Sequence, residues 1–282
     1  MKPVIVIGMH RSGTSLIVKL LEELGVFMGA DQEHNGESLF FNTINKWILH
    51  QAHASWDNPE NYNYLSYEAK ETLVPIIKNR LNSFYKKKYF GKLRKQISFF
   101  DIDFLWGWKD PRNTFTIDIW KEIFIDLKII HIHRNPMDVI NSLCKREESN
   151  ITNIGNPTRT GIRKKLFGLK LPQSNLFVQS FRSLDYSGGF SLWKEYVTRS
   201  FSISDDFSEI YHVSYEELIS SSEKVIKDLS VFLELSDIPL PAKEHIDSKK
   251  LFTFLNNPEL VNFYQNICSD NLVRKLNYGN IE

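Results

Sequence analysis

The stretch Val4–Gly25, VIVIGMHRSGTSLIVKLLEELG, constrains the fold more than any other part of the chain. An apolar run too short for a helix leads into Gly8 and Gly13. Leu16, Ile17, Leu20, Leu21 and Leu24 then recur at the spacing of one buried helix face, and Gly25 follows as the C-cap signal. Strand, glycine turn and helix in that order make a phosphate-binding loop, in which backbone amides at the helix N-terminus face an anion. Such loops ordinarily place lysine after the second glycine. Here Gly13 is followed by Thr14-Ser15, and Arg11 lies inside the loop instead.

Phe104–Trp108, Lys128–His133 and Ile210–Ser214 fit further strands beside Val4–Ile7, with helical patterns between them. This alternation predicts an α/β fold with a central parallel sheet and helices on both faces. Ligands of such sheets sit beyond the carboxyl ends of the strands. The site candidates are therefore Gly8–Ser15, Lys109-Asp110-Pro111-Arg112, Arg134-Asn135-Pro136 and Tyr215-Glu216-Glu217, and three of these four ends supply a cation. Glu223–Leu235 reads as an amphipathic helix and Pro258–Leu276 as a final one. In Asn150–Gly189, the segments Thr158–Gly161, Arg163-Lys164-Lys165, Pro172 and Gly188-Gly189 interrupt the periodicity. We read residues 1–282 as a single domain with a loop-rich insertion around 150–189.

The 282 residues are 42% apolar, enough for a sizeable core. Thirty-five Lys and Arg against 34 Asp and Glu leave a formal charge of +1, so there is no global positive field of the kind that draws proteins to DNA or anionic membranes, and no nucleic-acid partner is expected. Anion binding must come from local placement. Cys144 and Cys268 show neither disulfide nor metal spacing. No apolar run reaches the ~18 residues of a membrane span, and Met1-Lys2-Pro3 leaves no room for a signal peptide before the first strand. The expectation is a cytoplasmic chain, in which Asn150-Ile151-Thr152 matches a glycosylation acceptor by chance.

Arg11–Ser15, RSGTS, resembles the 5′-phosphosulfate loop of sulfotransferases that use 3′-phosphoadenosine 5′-phosphosulfate (PAPS). The likeness is to the branch with arginine in place of lysine, as in tyrosylprotein sulfotransferases and many bacterial enzymes. Leu127–Leu143, LKIIHIHRNPMDVINSL, resembles that family's second motif, a strand followed by Arg-x-Pro and, eight residues after the arginine, a serine. Trp106–Pro111, WGWKDP, is similar to its Lys-Asp-Pro element, and Val213–Ile219, VSYEELI, to its Tyr-Glu-Asp segment. The matches run in the family's order across residues 4–235. Asn135 stands where the family often has aspartate; asparagine also caps helices, and Pro136 then falls at the first helical position.

The resemblance implies a sulfotransferase-like fold, PAPS as donor and adenosine 3′,5′-bisphosphate as product. Its acceptor is a small molecule or glycan hydroxyl, with a carbohydrate or glycolipid favoured. Arg11, Ser12, Gly13, Thr14 and Ser15 then hold the 5′ end, and Arg134 and Ser142 hold the 3′-phosphate. Tyr215 stacks on adenine or is a buried aromatic at a strand end. A sulfuryl group carries less charge than a terminal phosphoryl group, so amides and a few cations suffice and no metal is expected. Consistently, no acidic pair follows a strand in the manner of a metal-holding aspartate.

Transfer to a hydroxyl needs a base on the acceptor and positive charge where the bridging oxygen leaves. Asn35–Leu49, NGESLFFNTINKWIL, resembles the segment after the first helix in bacterial sulfotransferases, where a glutamate lies near the acceptor; this makes Glu37 the candidate base. The first helix runs ~18 Å from the crevice, and the return Val26–Gly36 can stretch to ~36 Å, so Glu37 can reach it. A solvated loop carboxylate or a charge in the N-cap region of a helix is the alternative. His10 is either a second candidate base or a shaper of the loop. Lys109 complements Arg11 in stabilising charge on the transferring group. Arg112 is a partner of Asp110 or an acceptor contact, and His131 and His133 pack in the sheet. Arg163-Lys164-Lys165 is an anion-gathering segment or a solvated turn. Of Trp47, Trp56, Trp106, Trp108 and Trp193, some could stack on sugars, but most belong to the core. A P-loop kinase and a non-catalytic nucleotide-binding protein remain as other functions, and the oligomeric state is open.

Overall fold

The structure is a computed structural model that describes residues 1–92, 98–154, 178–235 and 248–281. Arg163-Lys164-Lys165 and most of the 150–189 stretch lie outside the described residues. The chain divides into two compact units, Met1–Asn135 with Glu195–Leu251, and Pro136–Lys194 with Phe252–Glu282.

The first unit contains all four strands: β1 (Pro3–Ile7), β2 (Trp106–Lys109), β3 (Lys128–His133) and β4 (Ile210–Ser214). They form one parallel sheet in the order β2-β1-β3-β4. Three strands begin within one residue of their expected start. β2 begins two residues late, at Trp106, whose register partner is Pro3, where β1 itself begins. Connections leave β1 toward β2 and return past it to β3, so the switch point of the topology lies between β1 and β3.

Helices cover both faces. Those of the first unit include α1 (Thr14–Glu23), α2 (Leu39–Gln51), α3 (Tyr67–Asn82), α4 (Lys86–Phe90) and α5 (Asn113–Ile123). Ile17, Leu20, Leu21 and Leu24 of α1 and its C-terminal turn are buried with Val4, Val6, Ile130 and Ile132 and with Val225, Ile226 and Leu229 of the helix Ser222–Phe232. Gly25 adopts φ +86 just after α1, the left-handed closure its position called for. An aromatic cluster fills the β2 side, where Phe41 stacks on Trp108 at 3.9 Å beside Trp120 and Tyr89.

In the second unit, α6 (Pro136–Ile154) begins at Pro136 as the proline suggested. Met137 and Ile140 pack with Phe254, Leu260, Tyr264 and Ile267. Two expectations change here. Gly188 and Gly189 lie inside the helix Tyr186–Ser202 instead of breaking structure; a side chain at Gly188 would meet the Arg182 carbonyl. The single helix read at Pro258–Leu276 is two, Pro258–Ile267 and Asn271–Lys275, because the Asp270 side chain accepts the Leu272 amide and starts a new helix.

His131 and His133 do pack in the sheet. His131 Nδ1 lies 2.8 Å from His212 Nδ1, and Phe201 stacks on His212. Burial pushes the imidazolium pKa of His131 well down and that of His133 to about 4, the neighbouring histidines adding to both shifts. The unfolded chain therefore takes up protons below about pH 6.5 that the folded chain refuses, so stability falls as pH drops toward 4 by about 1.4 kcal/mol per unit for each such histidine. Urea midpoints should be flat above about pH 7 and fall below it, with a shallower fall in His133→Gln; equal slopes would show that this histidine does not carry the effect.

Candidate active site

The carboxyl edge of the sheet brings together the loop after β1, the β2 exit and the β3 exit, because all strands are parallel. The loop packs too tightly for side chains at its glycines. Gly8 has φ +128, and a Cβ there would lie 2.2 Å from the Ile132 carbonyl oxygen; Gly13 has φ +94, and its Cβ would lie 2.4 Å from the Tyr215 ring. Arg11 is exposed and holds φ +71, a conformation that costs a non-glycine residue strain. Gly13 is the N-cap of α1, and no side chain caps that helix. Its first amides are thus not occupied by a capping side chain. Ser12 is buried with its Oγ lacking a hydrogen-bond partner among the described residues, and Thr14 is buried as well. This polar, uncapped helix start fits an anion such as a phosphate.

Glu37 reaches the edge by a return that is tied down. Ser15 Oγ donates to the Asn35 carbonyl at 2.6 Å, fixing the return to the first turn of α1. Ser38 then caps α2, accepting from Phe41 N while donating to Asp31. Glu37, between these fixed points, is 6% exposed. The solvated-loop alternative is excluded.

Both oxygens of Glu37 face cations. Oε1 lies 3.3 Å from Lys109 Nζ and 3.9 Å from His10 Nδ1; Oε2 accepts from Asn42 Nδ2 at 2.9 Å and lies 3.7 Å from Arg112 Nη1. His10 packs edge-on against Trp56, with ring centres 4.7 Å apart. Burial lowers the Lys109 pKa, with Glu37 and Asp110 opposing that shift. Burial would lower that of Arg112 too, yet Asp110 and Glu37 raise it above its usual value.

Arg112 thus takes the first of its two readings and more: Nη1 donates to Asp110 Oδ1 at 2.9 Å while facing Glu37. Asp110 is in turn held by Asn45. Trp120 Nε1 can only donate, and it donates to Asn45 Oδ1, as does Thr116 Oγ1; Asn45 Nδ2 must then face Asp110 Oδ2 and Asn113 Oδ1. Asn42 and Asn45 were missed in the sequence. Two asparagines three apart, among the apolar residues of an amphipathic helix, were the available signal.

At the β3 exit, the Arg134 guanidinium lies 4.4 Å over the Tyr215 ring, and Nη2 donates to the Lys250 carbonyl. Tyr215 is buried between that guanidinium and Gly13. Asn135 Nδ2 donates to Glu216. Ser142 lies on α6, in the second unit. Of the tryptophans, Trp106, Trp108 and Trp193 are core; Trp56 and Trp47 keep part of their surface. No group of three His, Cys, Asp or Glu side chains arranged to hold a metal occurs among the described residues.

The profile described as the sulfotransferase family matches residues 3–239. A crystal structure of a sulfotransferase from Alicyclobacillus acidocaldarius is similar with a TM-score of 0.52 at 13% identity, over 100% of this chain and 97% of that one. The sulfotransferase domain from the Curacin biosynthetic pathway gives 0.46 at 14% identity, over 89% and 79%. The sulfotransferase domain from the Synechococcus PCC 7002 olefin synthase gives 0.44 at 15% identity, over 93% and 82%. At such identities the first of these speaks to the fold alone. A search of curated proteins gives no match.

The Asn45–Asp110–Arg112 chain should be costly to break. Asp110→Asn must turn an NH2 group toward either Asn45 Nδ2 or Arg112, leaving buried donors facing each other. Urea denaturation should show a loss of about 3–5 kcal/mol; a loss below about 1 kcal/mol would mean the network is not held this way.

Proposed function

The chain belongs to the sulfotransferase family, and we propose that it moves the sulfuryl group of PAPS to a hydroxyl of a carbohydrate or glycolipid acceptor, releasing adenosine 3′,5′-bisphosphate. The observation that carries this reading is the buried Glu37 carboxylate, faced by Lys109 and Arg112 beside an uncapped helix N-terminus. In this reading Glu37 takes the acceptor proton as the acceptor oxygen bonds to sulfur, and the bridging oxygen departs with the 5′-phosphate. Arg11 and Lys109 stabilise the negative charge that builds on the transferring group and the departing oxygen. Ser12, Gly13, Thr14 and Ser15 offer amides and hydroxyls to the 5′-phosphate. Arg134 and Ser142 are assigned to the 3′-phosphate and Tyr215 to the adenine side, assignments that rest on the motif resemblance.

Two features temper the roles of single residues. Ser15 Oγ already donates to the Asn35 carbonyl, so its amide is the group we assign to the anion. Lys109 is held by Glu37 through the same oxygen that His10 approaches; protonation of Glu37 during transfer frees Lys109 to serve the developing charge. No metal takes part in this scheme, and we place the enzyme in the cytoplasm, where its two free cysteines stay reduced.

Calorimetric titration without metal should show tighter binding of adenosine 3′,5′-bisphosphate than of ATP. Arg134→Ala should weaken the bisphosphate by roughly 1.5–3 kcal/mol more than AMP. Glu37→Gln should lower sulfuryl transfer with bisphosphate affinity nearly kept. Preference for ATP, or activity that vanishes in a chelator, would move the chain to the kinase reading; unchanged turnover in Glu37→Gln would place the base elsewhere.

A further inference from the structure

The sequence from Thr72 to Lys92 holds six Lys and Arg residues and no Asp or Glu, in a chain whose formal charge is only +1. Here α3 ends and α4 begins. α3 buries Leu73, Ile77 and Leu81, one stripe at helical spacing, which turns Ile76 and Arg80 to its flank. Between that flank and the outer side of α2 runs a groove of 240 Å³, lined by Thr43, Ile44, Trp47, Ile76, Ile77 and Arg80. All but two of these are apolar. The Arg80 guanidinium lies 3.8 Å over the Tyr85 ring, and Tyr85 packs on Phe84 at 4.1 Å. Groove and aromatic pair are therefore one continuous surface, joined by an arginine.

That surface is not covered within its unit. Phe84 is 66% exposed and Ile76 51%, and Tyr85 and Trp47 also keep accessible surface. Lys87 and Lys88 on α4 are exposed beside them, with Lys46 exposed on α2 and Lys86 half-buried. α2 itself contains no acidic residue. Asp31, whose charge acts on Lys88, is engaged by Ser38 and the Phe40 amide. A contiguous apolar patch rimmed by cations calls for a partner that offers both hydrocarbon and negative charge.

We propose that this α2–α3–α4 face docks on an anionic lipid bilayer, with Phe84, Tyr85 and Ile76 entering the headgroup boundary and Lys86, Lys87 and Lys88 meeting lipid phosphates. Aromatic side chains with one polar end and lysines on flexible stems are the residues suited to that boundary. Nucleic acid would use the cations but leave the isoleucine-lined groove empty, and a purely apolar partner would leave the lysines unanswered. The attachment is peripheral, since no helix among the described residues is long and apolar enough to cross a membrane. It does not depend on the chemistry assigned to Glu37, and its test does not read activity.

Co-sedimentation of the full chain with vesicles of phosphatidylcholine alone, and of phosphatidylcholine mixed with phosphatidylglycerol, tests it. The protein should pellet with the mixed vesicles and stay in solution with the neutral ones. Replacing Lys86, Lys87 and Lys88 together by glutamine should weaken partitioning by about a hundredfold. Phe84→Ser with Ile76→Ser should weaken it severalfold at unchanged charge, and the residue of binding in high salt should disappear with it. All of these positions except Lys86 are exposed, so circular dichroism of each variant should match the parent; a variant that does not is replaced by Lys87→Gln with Lys88→Gln or by Phe84→Ser alone. Absence of pelleting with mixed vesicles, pelleting equal for both vesicle types, or binding that ignores Phe84 and is abolished by single-stranded DNA would each overturn the proposal.

Discussion

A carboxylate buried beside the sheet edge dictates much of what surrounds it. Desolvating an ionised glutamate costs more than any single contact returns, so its oxygens must be met by opposite charge and by donors from several directions. Glu37 receives Lys109 on one oxygen and Asn42 with Arg112 on the other. Each of these partners then needs its own support. Asp110 holds Arg112, Asn45 holds Asp110, and the indole of Trp120 fixes which way Asn45 can point. The polarity of the site is thus anchored in the aromatic core, and one misplaced donor along the chain leaves a buried group without an acceptor.

In the proposed scheme Lys109 takes the place of the lysine that the loop lacks. In the parallel register Val6 lies beside Lys109, so the end of β2 stands level with the start of the loop and supplies an ammonium group from the neighbouring strand. The loop is left with Arg11 exposed at positive φ and with glycines pressed against Ile132 and Tyr215. A cation on a strand end is held more rigidly than one on a loop, because the ladder fixes its backbone. It also arrives with Asp110 and Arg112 attached in sequence, so that the two cations facing Glu37 and the carboxylate holding one of them share one backbone segment. Both cations that face Glu37 thus come from one tetrapeptide.

What could be read in advance follows from how local each signal is. The strands, α1 and its glycine cap were legible because hydrophobic period and turn chemistry act within a few residues. Lys109 and Glu37 could be named as candidates, but their contact spans 72 positions and depends on Ser15 tying down Asn35 and on Ser38 starting α2. No short window carries that. Asn45 carried only a weak signal for a related reason: an asparagine among the apolar residues of a helix looks like a poor helix former until the donors of Thr116 and Trp120 are placed around it. Gly188 and Gly189 misled in the opposite sense. Their composition signals a break, yet the close approach of the Arg182 carbonyl makes small residues the requirement of a packed helix.

Net charge is the quantity that hides most here. A sum of +1 averages a buried cluster, Glu37 with Lys109, Arg112 and Asp110, in which each charge is answered at short range, and a segment, Thr72–Lys92, in which none is answered in sequence. The two use charge differently. At Glu37 the surroundings are dry, so attraction is strong and local, and geometry to a fraction of an ångström decides the outcome. On α4 the lysines are wet, attraction is screened beyond about 8 Å, and only several like charges acting together on an extended anionic surface amount to useful affinity. α2 belongs to both, with Asn42 and Asn45 on the side of the buried network and Thr43 and Trp47 along the groove. A helix so divided keeps the two uses of charge apart: what settles on its outer side meets Thr43 and Trp47, while Asn42 and Asn45 stay with the buried network.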